Sequence, residues 1–510
     1  MAAIQAALVF GSIIILLFLL VNHRARRVRE MHKFQSPPPY RMLFGNTLEL
    51  KDEPSEFFEQ MMGWCSQFKG FFCLWLSFAK PFFLIYEPKT VEVILSSSKH
   101  ITKAQFYDFL LPWLGTGLLT STGEKWKKRR RLLTPTFHFK ILNDFVQVFD
   151  EQSQVMVSIL KSQPSEKVFN IFPLIGCCAL DIIGKTAMGV NINAQKNSSS
   201  EYVKGVIRMS ELALSRLKRP WVHPAFLYYL TNEGREHNKI LKLLHDFTNQ
   251  VIADRIHERL NSSKEQDKTE ESDEFTGRQK RRLVAFLDML LNAYDAGEID
   301  VEGVREEVDT FMFEGHDTTS AAMAWTVQLL GEHPDVQRKA QAEVDEFFVT
   351  NSGRILTAES LKGLKYLECV IKETLRIFPS VPLFARSLAE DLDLEGRLIP
   401  KGTNVGVITI GLHRNPEVWP NPMKFDPDRF LPENSEGRHP YAFVPFSAGS
   451  RNCIGQRFAL LEEKVVLAYI LHNFNIVSTE KSTKIKTCAE LITRPRDGIF
   501  VTLTTRKQGP

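Results

Sequence analysis

One cysteine in a glycine-flanked turn constrains this 510-residue chain more than any other feature. It lies in Phe446-Ser447-Ala448-Gly449-Ser450-Arg451-Asn452-Cys453-Ile454-Gly455, with Phe446 seven residues before it. Gly449 and Gly455 permit backbone angles and close approaches that a side chain forbids. Arg451 sets a fixed positive charge two residues before the sulfur. After Gly455 the pattern turns helical: Phe458, Ala459, Leu460 and Leu461, then Val465, Val466 and Leu467. The cysteine is therefore expected in a loop that runs into a helix N-terminus, where unpaired N–H groups favour thiolate over thiol. A flat, rigid cofactor would lie against Phe446, and Gly449 would let the backbone come near it. Such a loop presents one anionic sulfur to a metal. A lone cysteine is more commonly a small buried hydrophobe, so the rest of the chain must discriminate.

The chain is long enough for a large core, and length alone would suggest two or three domains. A net charge of +4 gives no argument for nucleic acid, and no nucleic-acid partner is expected. Seven cysteines, with only Cys177 and Cys178 adjacent, form neither a disulfide framework nor a CxxC zinc site. That usage fits a reducing compartment.

Residues 2–21 are apolar except for Gln5, Gly11 and Ser12. At about 1.5 Å per residue a helix there would be roughly 30 Å long, enough to span a bilayer core. Arg24, Arg26, Arg27 and Arg29 follow at once, which places the body of the protein on the cytosolic side. A cleaved signal peptide would carry its charges before the apolar run and a small-residue site after it. The order here is the reverse, so an uncleaved transmembrane anchor is expected at 2–21. A basic stop and proline hinge follow over 22–45, with Ser36-Pro37-Pro38-Pro39 as a stiff spacer. On that topology the sequons beginning at Asn197 and Asn261 stay unmodified.

In the body, the aromatic-rich run from Phe71 to Tyr86 predicts strands of a small sheet. Leu110 to Gly115 reads as an apolar loop, and Phe137 to about Leu260 as mainly amphipathic helix. Ser262 to Gly277 is polar and reads as a surface loop. Glu124 to Arg131 is a basic helical stretch in which Trp126 and Arg130, four apart, share one face. Val304 to Leu330 predicts one long helix, locally weakened by Gly315, Thr318 and Thr319. A threonine hydroxyl there can bond the preceding turn and bend the helix, and Gly315 would let something flat approach. Glu314 and Thr318, four apart, face the same side. Glu373 and Arg376, three apart, share a face of another helix. Ile492 to Phe500 reads as a hairpin turning through Arg496-Asp497-Gly498.

Phe-x-x-Gly-x-Arg-x-Cys-x-Gly at 446–455 resembles the cysteine-ligand signature of the cytochrome P450 haem-thiolate monooxygenases. Four further motifs stand in the order that family has them: Trp126-x-x-x-Arg130, Gly315 to Thr319, Glu373-x-x-Arg376 and Phe425 to Phe430. Glu314-Gly315-His316-Asp317-Thr318-Thr319 resembles family 4. Thr134 to Phe139 and Ser380 to Arg386 look most like its V subfamily. The resemblance implies one mainly α catalytic domain with a small β-rich lobe over 46–510, behind the anchor.

It also implies a haem b whose iron Cys453 ligates, with Arg451 and Phe446 beside it. Trp126 and Arg130 would reach one haem propionate and Arg386 the other. Glu314 matches the glutamate that family 4 esterifies to a haem methyl. Asp317 and Thr318 would deliver protons to the bound oxygen. Glu373, Arg376 and Arg429 would form a buried lock, while Leu110–Gly115, Val381–Phe384 and the 492–500 hairpin would border the pocket. The outward lysines and arginines of 124–131 would dock an NADPH-dependent reductase, with cytochrome b5 as an optional second donor. The implied activity is ω-hydroxylation of medium- to long-chain fatty acids at the endoplasmic reticulum membrane. Two other readings stand beside it. A haem-thiolate isomerase or peroxide-using enzyme would need no reductase, and NADPH-dependent turnover excludes it. A non-catalytic membrane-anchored haem or lipid-binding protein is excluded by any catalytic turnover.

Overall fold

The computed structural model describes residues 5, 10–16, 18, 19, 21, 34–38, 45–76, 81–137, 139–164, 166–196, 201–269, 286–394 and 396–507. Among these, no helix is long and apolar enough to cross a membrane. The expected anchor at 2–21 falls only partly on them, and Arg24, Arg26, Arg27, Arg29, Pro39 and Asn197 fall outside them.

The architecture is mainly helical, with a small sheet lobe. Helices start where their sequences supply a cap or a proline. α1 (Pro54–Gln67) and α2 (Pro88–Leu95) both place proline at the first turn, where its missing N–H costs nothing. Glu53 caps α1 by accepting from the Glu56 amide at 2.8 Å. α3 (Gly123–Leu133), α4 (Phe139–Ser162), α5 (Phe172–Ile183), α6 (Glu201–Lys218) and α7 (Asn232–Thr269) follow. α8 (Phe286–Asp295) leads into α9 (Val301–Glu332), which Asp300 caps by accepting from the Gly303 amide at 2.8 Å. At about 1.5 Å per residue α9 is nearly 50 Å long. It is buried on nearly all sides and packs against α5, α7, α11 (Lys365–Ile377) and α12 (Gln456–Asn473). α10 (Pro334–Thr350) lies against α11 and α12.

The lobe is a four-stranded sheet in the order β1-β2-β7-β4, from β1 (Phe71–Leu74), β2 (Phe82–Ile85), β7 (Asn404–Ile408) and β4 (Leu383–Ser387). Only β2 and β7 run parallel. Buried residues from its strands, among them Phe72, Phe83, Ile85, Val405 and Val407, belong to a second core beside the large helical one. Between β4 and β7, β5 (Leu392–Leu394) pairs with β6 (Arg397–Ile399). A third sheet joins β3 (Phe169–Asn170), β11 (Phe500–Thr505) and β8 (Phe474–Ser478). The last is a hairpin of β9 (Thr487–Ala489) and β10 (Thr493–Pro495), with Glu490, Leu491 and Ile492 as its loop.

Three local expectations are corrected. Residues 110–115 are the end of a 3-10 turn and a one-turn helix, Leu111–Leu114, rather than a loop. Residues 262–269 continue α7 instead of leaving it; 270–277 lie outside the described residues. Ile492 to Phe500 is not a hairpin, because β10 pairs back to β9 while β11 pairs with β3 and β8. Gly498, at φ 107°, has room only for hydrogen against the Asn170 side chain, so that turn joins two sheets.

Candidate functional site

The cysteine loop is held from three directions. Gly449 adopts φ 71°, and a Cβ there would come 2.0 Å from the Leu95 carbonyl oxygen. The glycine therefore serves contact with the C-terminus of α2, not, as the sequence suggested, room for a cofactor. From α3, Arg130 donates to the backbone oxygen and to the side-chain oxygen of Asn452, each at 2.8 Å. The Arg451 guanidinium lies 4.6 Å over the Trp126 ring and donates to the carbonyls of Leu119 and Ser121. The Cys453 amide donates to the Phe446 carbonyl at 2.9 Å, and α12 begins three residues on with Gly455 as its N-cap. The predicted loop-into-helix geometry is present.

The Cys453 side chain is open, but to an internal cavity and not to bulk solvent. Burial pushes its thiol up to about 12, and the nearby Glu314 charge adds to this; the Gly455 amide and Arg130 oppose it. Burial thus outweighs the helix N-terminus that was expected to favour thiolate. A metal ligand binds as thiolate and releases its proton on ligation.

Counted out through its open mouth, the cavity takes in roughly 1620 Å³ of space not filled by atoms. Phe106, Leu110, Leu118, Val381, Phe384 and Ile492 supply much of its apolar wall. Its polar content is lopsided. Lys103, Arg130, Arg386 and Arg451 all line it, and none has a carboxylate at ion-pair distance among the described residues. Burial lowers all four, Lys103 and Arg451 most, the latter to about 9; neighbouring arginines lower Lys103 further. The carboxyls facing them are Glu314, which burial raises to about 7 against the pull of Lys103, Arg130 and Arg451, and Glu463, which burial keeps well above its ordinary range. The Arg451 Nε is buried and has no hydrogen-bond acceptor. Buried cations in excess call for a ligand bearing more than one negative charge. A haem, flat and with two propionates, fits this set: sulfur at Cys453, aromatic and apolar walls, and four cations for two carboxylates.

The long helix turns some of its motif residues to the cavity and others away from it. Glu314, Gly315, Thr318 and Thr319 line the cavity. The Thr318 hydroxyl donates to the Glu314 carbonyl at 2.8 Å, the expected bond to the preceding turn, and the Thr318 carbonyl accepts from Ser380 at 2.8 Å. The helix nonetheless runs unbroken through this point. A Cβ on Gly315 would lie 2.5 Å from Ile183, so this glycine admits α5 rather than a flat ligand. Asp317 does not line the cavity. It is 3% exposed, and both its carboxylate oxygens accept from Arg494 of β10. Arg494 in turn donates to Glu490 at 3.2 Å.

The expected lock is present. Arg376 donates to Glu373 through Nε at 2.7 Å and Nη2 at 2.8 Å, both side chains fully buried, and Arg429 approaches the same carboxylate at 3.4 Å. On α3, Lys127, Lys128 and Arg131 point outward. Arg129 does not: it turns inward to Glu307 at 3.6 Å, while Lys125 pairs with Glu306 at 2.8 Å.

Lys103, Tyr107 and Arg494 were missed by sequence reasoning. Lys103 reaches the site through an isolated β-bridge to Arg386, and its Nζ sits 4.2 Å from the Tyr107 ring centre. The Lys103-x-x-x-Tyr107 spacing was the one available signal. Arg494 had none, since its partner lies 177 residues away.

The family model for cytochrome P450 matches residues 36–503. The chain is 48% identical to cytochrome P450 4V2 of Mus musculus, over 99% of this chain and 96% of that protein. It is 47% identical to cytochrome P450 4V2 of Homo sapiens over the same shares. Against cytochrome P450 4c3 of Drosophila melanogaster it is 44% identical over 97% of this chain and 94% of that one.

Proposed function

This chain belongs to the cytochrome P450 family, as a V-like member of its family 4, and on that premise we propose that it hydroxylates the ω end of medium- to long-chain fatty acids, polyunsaturated ones included. It is a haem-thiolate monooxygenase. The reaction takes RH, O2, two electrons and two protons to ROH and water. Haem supplies the oxygen chemistry, and a thiolate ligand is the device that favours O–O cleavage in this class.

The chain's own residues do the rest. Cys453 is the ligand, with Phe446 beside it. Trp126, Arg130, Arg386 and Arg451, joined by Lys103, line the cavity and would hold the propionates. Glu314 lines the cavity and would hold the haem through an ester to one of its methyls. Thr318 presents its hydroxyl to the cavity, and Asp317 is its acid partner once free of Arg494. An apolar wall that includes Phe106, Leu110, Val381 and Phe384 would have to admit an alkyl chain end-on for a terminal methyl to react before its weaker methylene neighbours. Small misplacements cost rate, and a haem pinned through Glu314 limits them.

Electrons come from an NADPH-dependent reductase, with cytochrome b5 as a further donor, at the outward face of α3 (Lys127, Lys128, Arg131). The protein sits on the endoplasmic reticulum membrane through its N-terminal segment. Support comes from the exposed apolar side chains of Phe10, Ile13, Ile14, Ile15, Leu16, Phe18 and Leu19, which a water-facing helix would not carry.

The observation that carries the reading is the cavity, with one sulfur, an apolar wall and four cations that have no carboxylate at ion-pair distance among the described residues. Turnover of lauric, palmitic and docosahexaenoic acids with reductase and NADPH tests it. Terminal alcohols are expected; mid-chain alcohols alone, or none, would reject ω-hydroxylation. Covalent attachment is tested separately: haem should resist acidic organic extraction from the wild type and extract freely from Glu314→Ala.

A further inference from the structure

Asp317 and its cavity-facing neighbour Thr318 are both tied to the C-terminal β9–β10 hairpin. The Asp317 carboxylate is held at both oxygens by Arg494. The Thr318 carbonyl accepts from Ser380, whose own carbonyl accepts from the Thr493 amide at 2.8 Å. Thr493 is fixed further by Pro379 and by the Trp325 indole. The hairpin loop is Glu490-Leu491-Ile492: Leu491 and Ile492 line the cavity, and Glu490 pairs with Arg494. Three residues of loop therefore carry both the surface a substrate touches and one partner of the arginine that grips Asp317.

A carboxylate with both oxygens on a buried guanidinium cannot pass a proton into the cavity until one of them is released. We propose that Arg494 is a positioning residue that holds Asp317 out of the cavity, and that an acyl chain pressing on Leu491 and Ile492 shifts the hairpin and frees it. Proton supply is thereby tied to substrate occupancy, so that reducing equivalents are not spent when the cavity holds only water. The inference rests on the monooxygenase reading, but its central test needs no particular substrate.

Holoenzyme with reductase is compared as wild type, Arg494→Gln, Asp317→Asn and the double variant. NADPH oxidation without substrate should rise about tenfold in Arg494→Gln, a typical allosteric coupling, with the product diverted to peroxide or water. The double variant should resemble Asp317→Asn, because the arginine acts through that carboxylate. A purely structural arginine would instead lower thermal stability and haem content without changing this leak. An unchanged leak, or an equal rise in the Asp317→Asn background, overturns the proposal.

A second readout is independent of turnover. Hydrogen exchange over 487–495 should change when palmitate binds the wild type, and should already be raised in Arg494→Gln without it. Identical exchange in all states overturns the coupling. Failure of palmitate to be hydroxylated while the leak behaves as expected rejects the fatty-acid reading and leaves the lock standing.

Discussion

Two buried arginine–carboxylate clusters do different work in this molecule. Glu373, Arg376 and Arg429 are closed in on themselves: Arg376 also donates to the His413 carbonyl at 3.0 Å, and the Asp426 amide to Glu373 at 2.9 Å. Neither Glu373 nor Arg376 touches the cavity. Asp317, Arg494 and Glu490 are equally buried, but their arginine stands on a hairpin whose loop is cavity wall. The same chemistry is an architectural fastener in one place and an element of the working site in the other. The neighbours decide which.

The contrast is broken most severely at the fastener. Arg376→Met leaves Glu373 buried without its partner and should cost about 3–5 kcal/mol. Thermal unfolding should show a large fall in midpoint, with poor recovery of folded protein; Arg494→Gln keeps an amide that can still donate to Asp317, so it should lose less and retain its haem.

Next in size is Thr318→Ala, beside the second cluster. Product formed per NADPH should drop about 100-fold, the scale of a lost proton-transfer group, while the haem spectrum and stability stay near wild type. Equal coupling in this variant would remove the hydroxyl from the reaction.

Gly449→Ala strains the cysteine loop. A side chain at φ 71° meeting the Leu95 carbonyl should cost about 1–3 kcal/mol, read as a lower unfolding midpoint and faster loss of haem.

The smallest effect is a pH slope. Burial raises Glu490 to about 7 despite Arg494, above its value in an unfolded chain. Its stabilising contribution is complete below the unfolded value, near 4.3, and is lost as pH rises through about 7. Glu490→Gln should flatten the stability–pH curve between those limits, and a curve parallel to wild type would contradict this.

How much of this was legible in the sequence follows from how local each feature is. Cys453, Glu314 and Thr318, Trp126 and Arg130, and Glu373 and Arg376 depend on spacing within one loop or helix, and that spacing survives folding. The long helix and the strands at 71–85 were legible for the same reason. Glycines at 315 and 449 were rightly marked as places of close approach, yet their partners are Ile183 and Leu95, elements that no motif names. Asp317 was expected to deliver protons beside Thr318 because the motif Gly315 to Thr319 resembles the family's. On a helix, adjacent residues point about 100° apart, so neighbourhood implies a different face. Arg494 and the true pairing of the last strands depend on contacts across the whole chain, which periodicity does not record.

The central claim is that this cavity holds a haem through the thiolate of Cys453. The reduced, carbon-monoxide-bound absorption spectrum of the purified protein, beside that of Cys453→Ala, tests it most directly. A strongly red-shifted Soret band is expected in the wild type and not in the variant. An unshifted band in the wild type, or a shifted band that survives in Cys453→Ala, would contradict it.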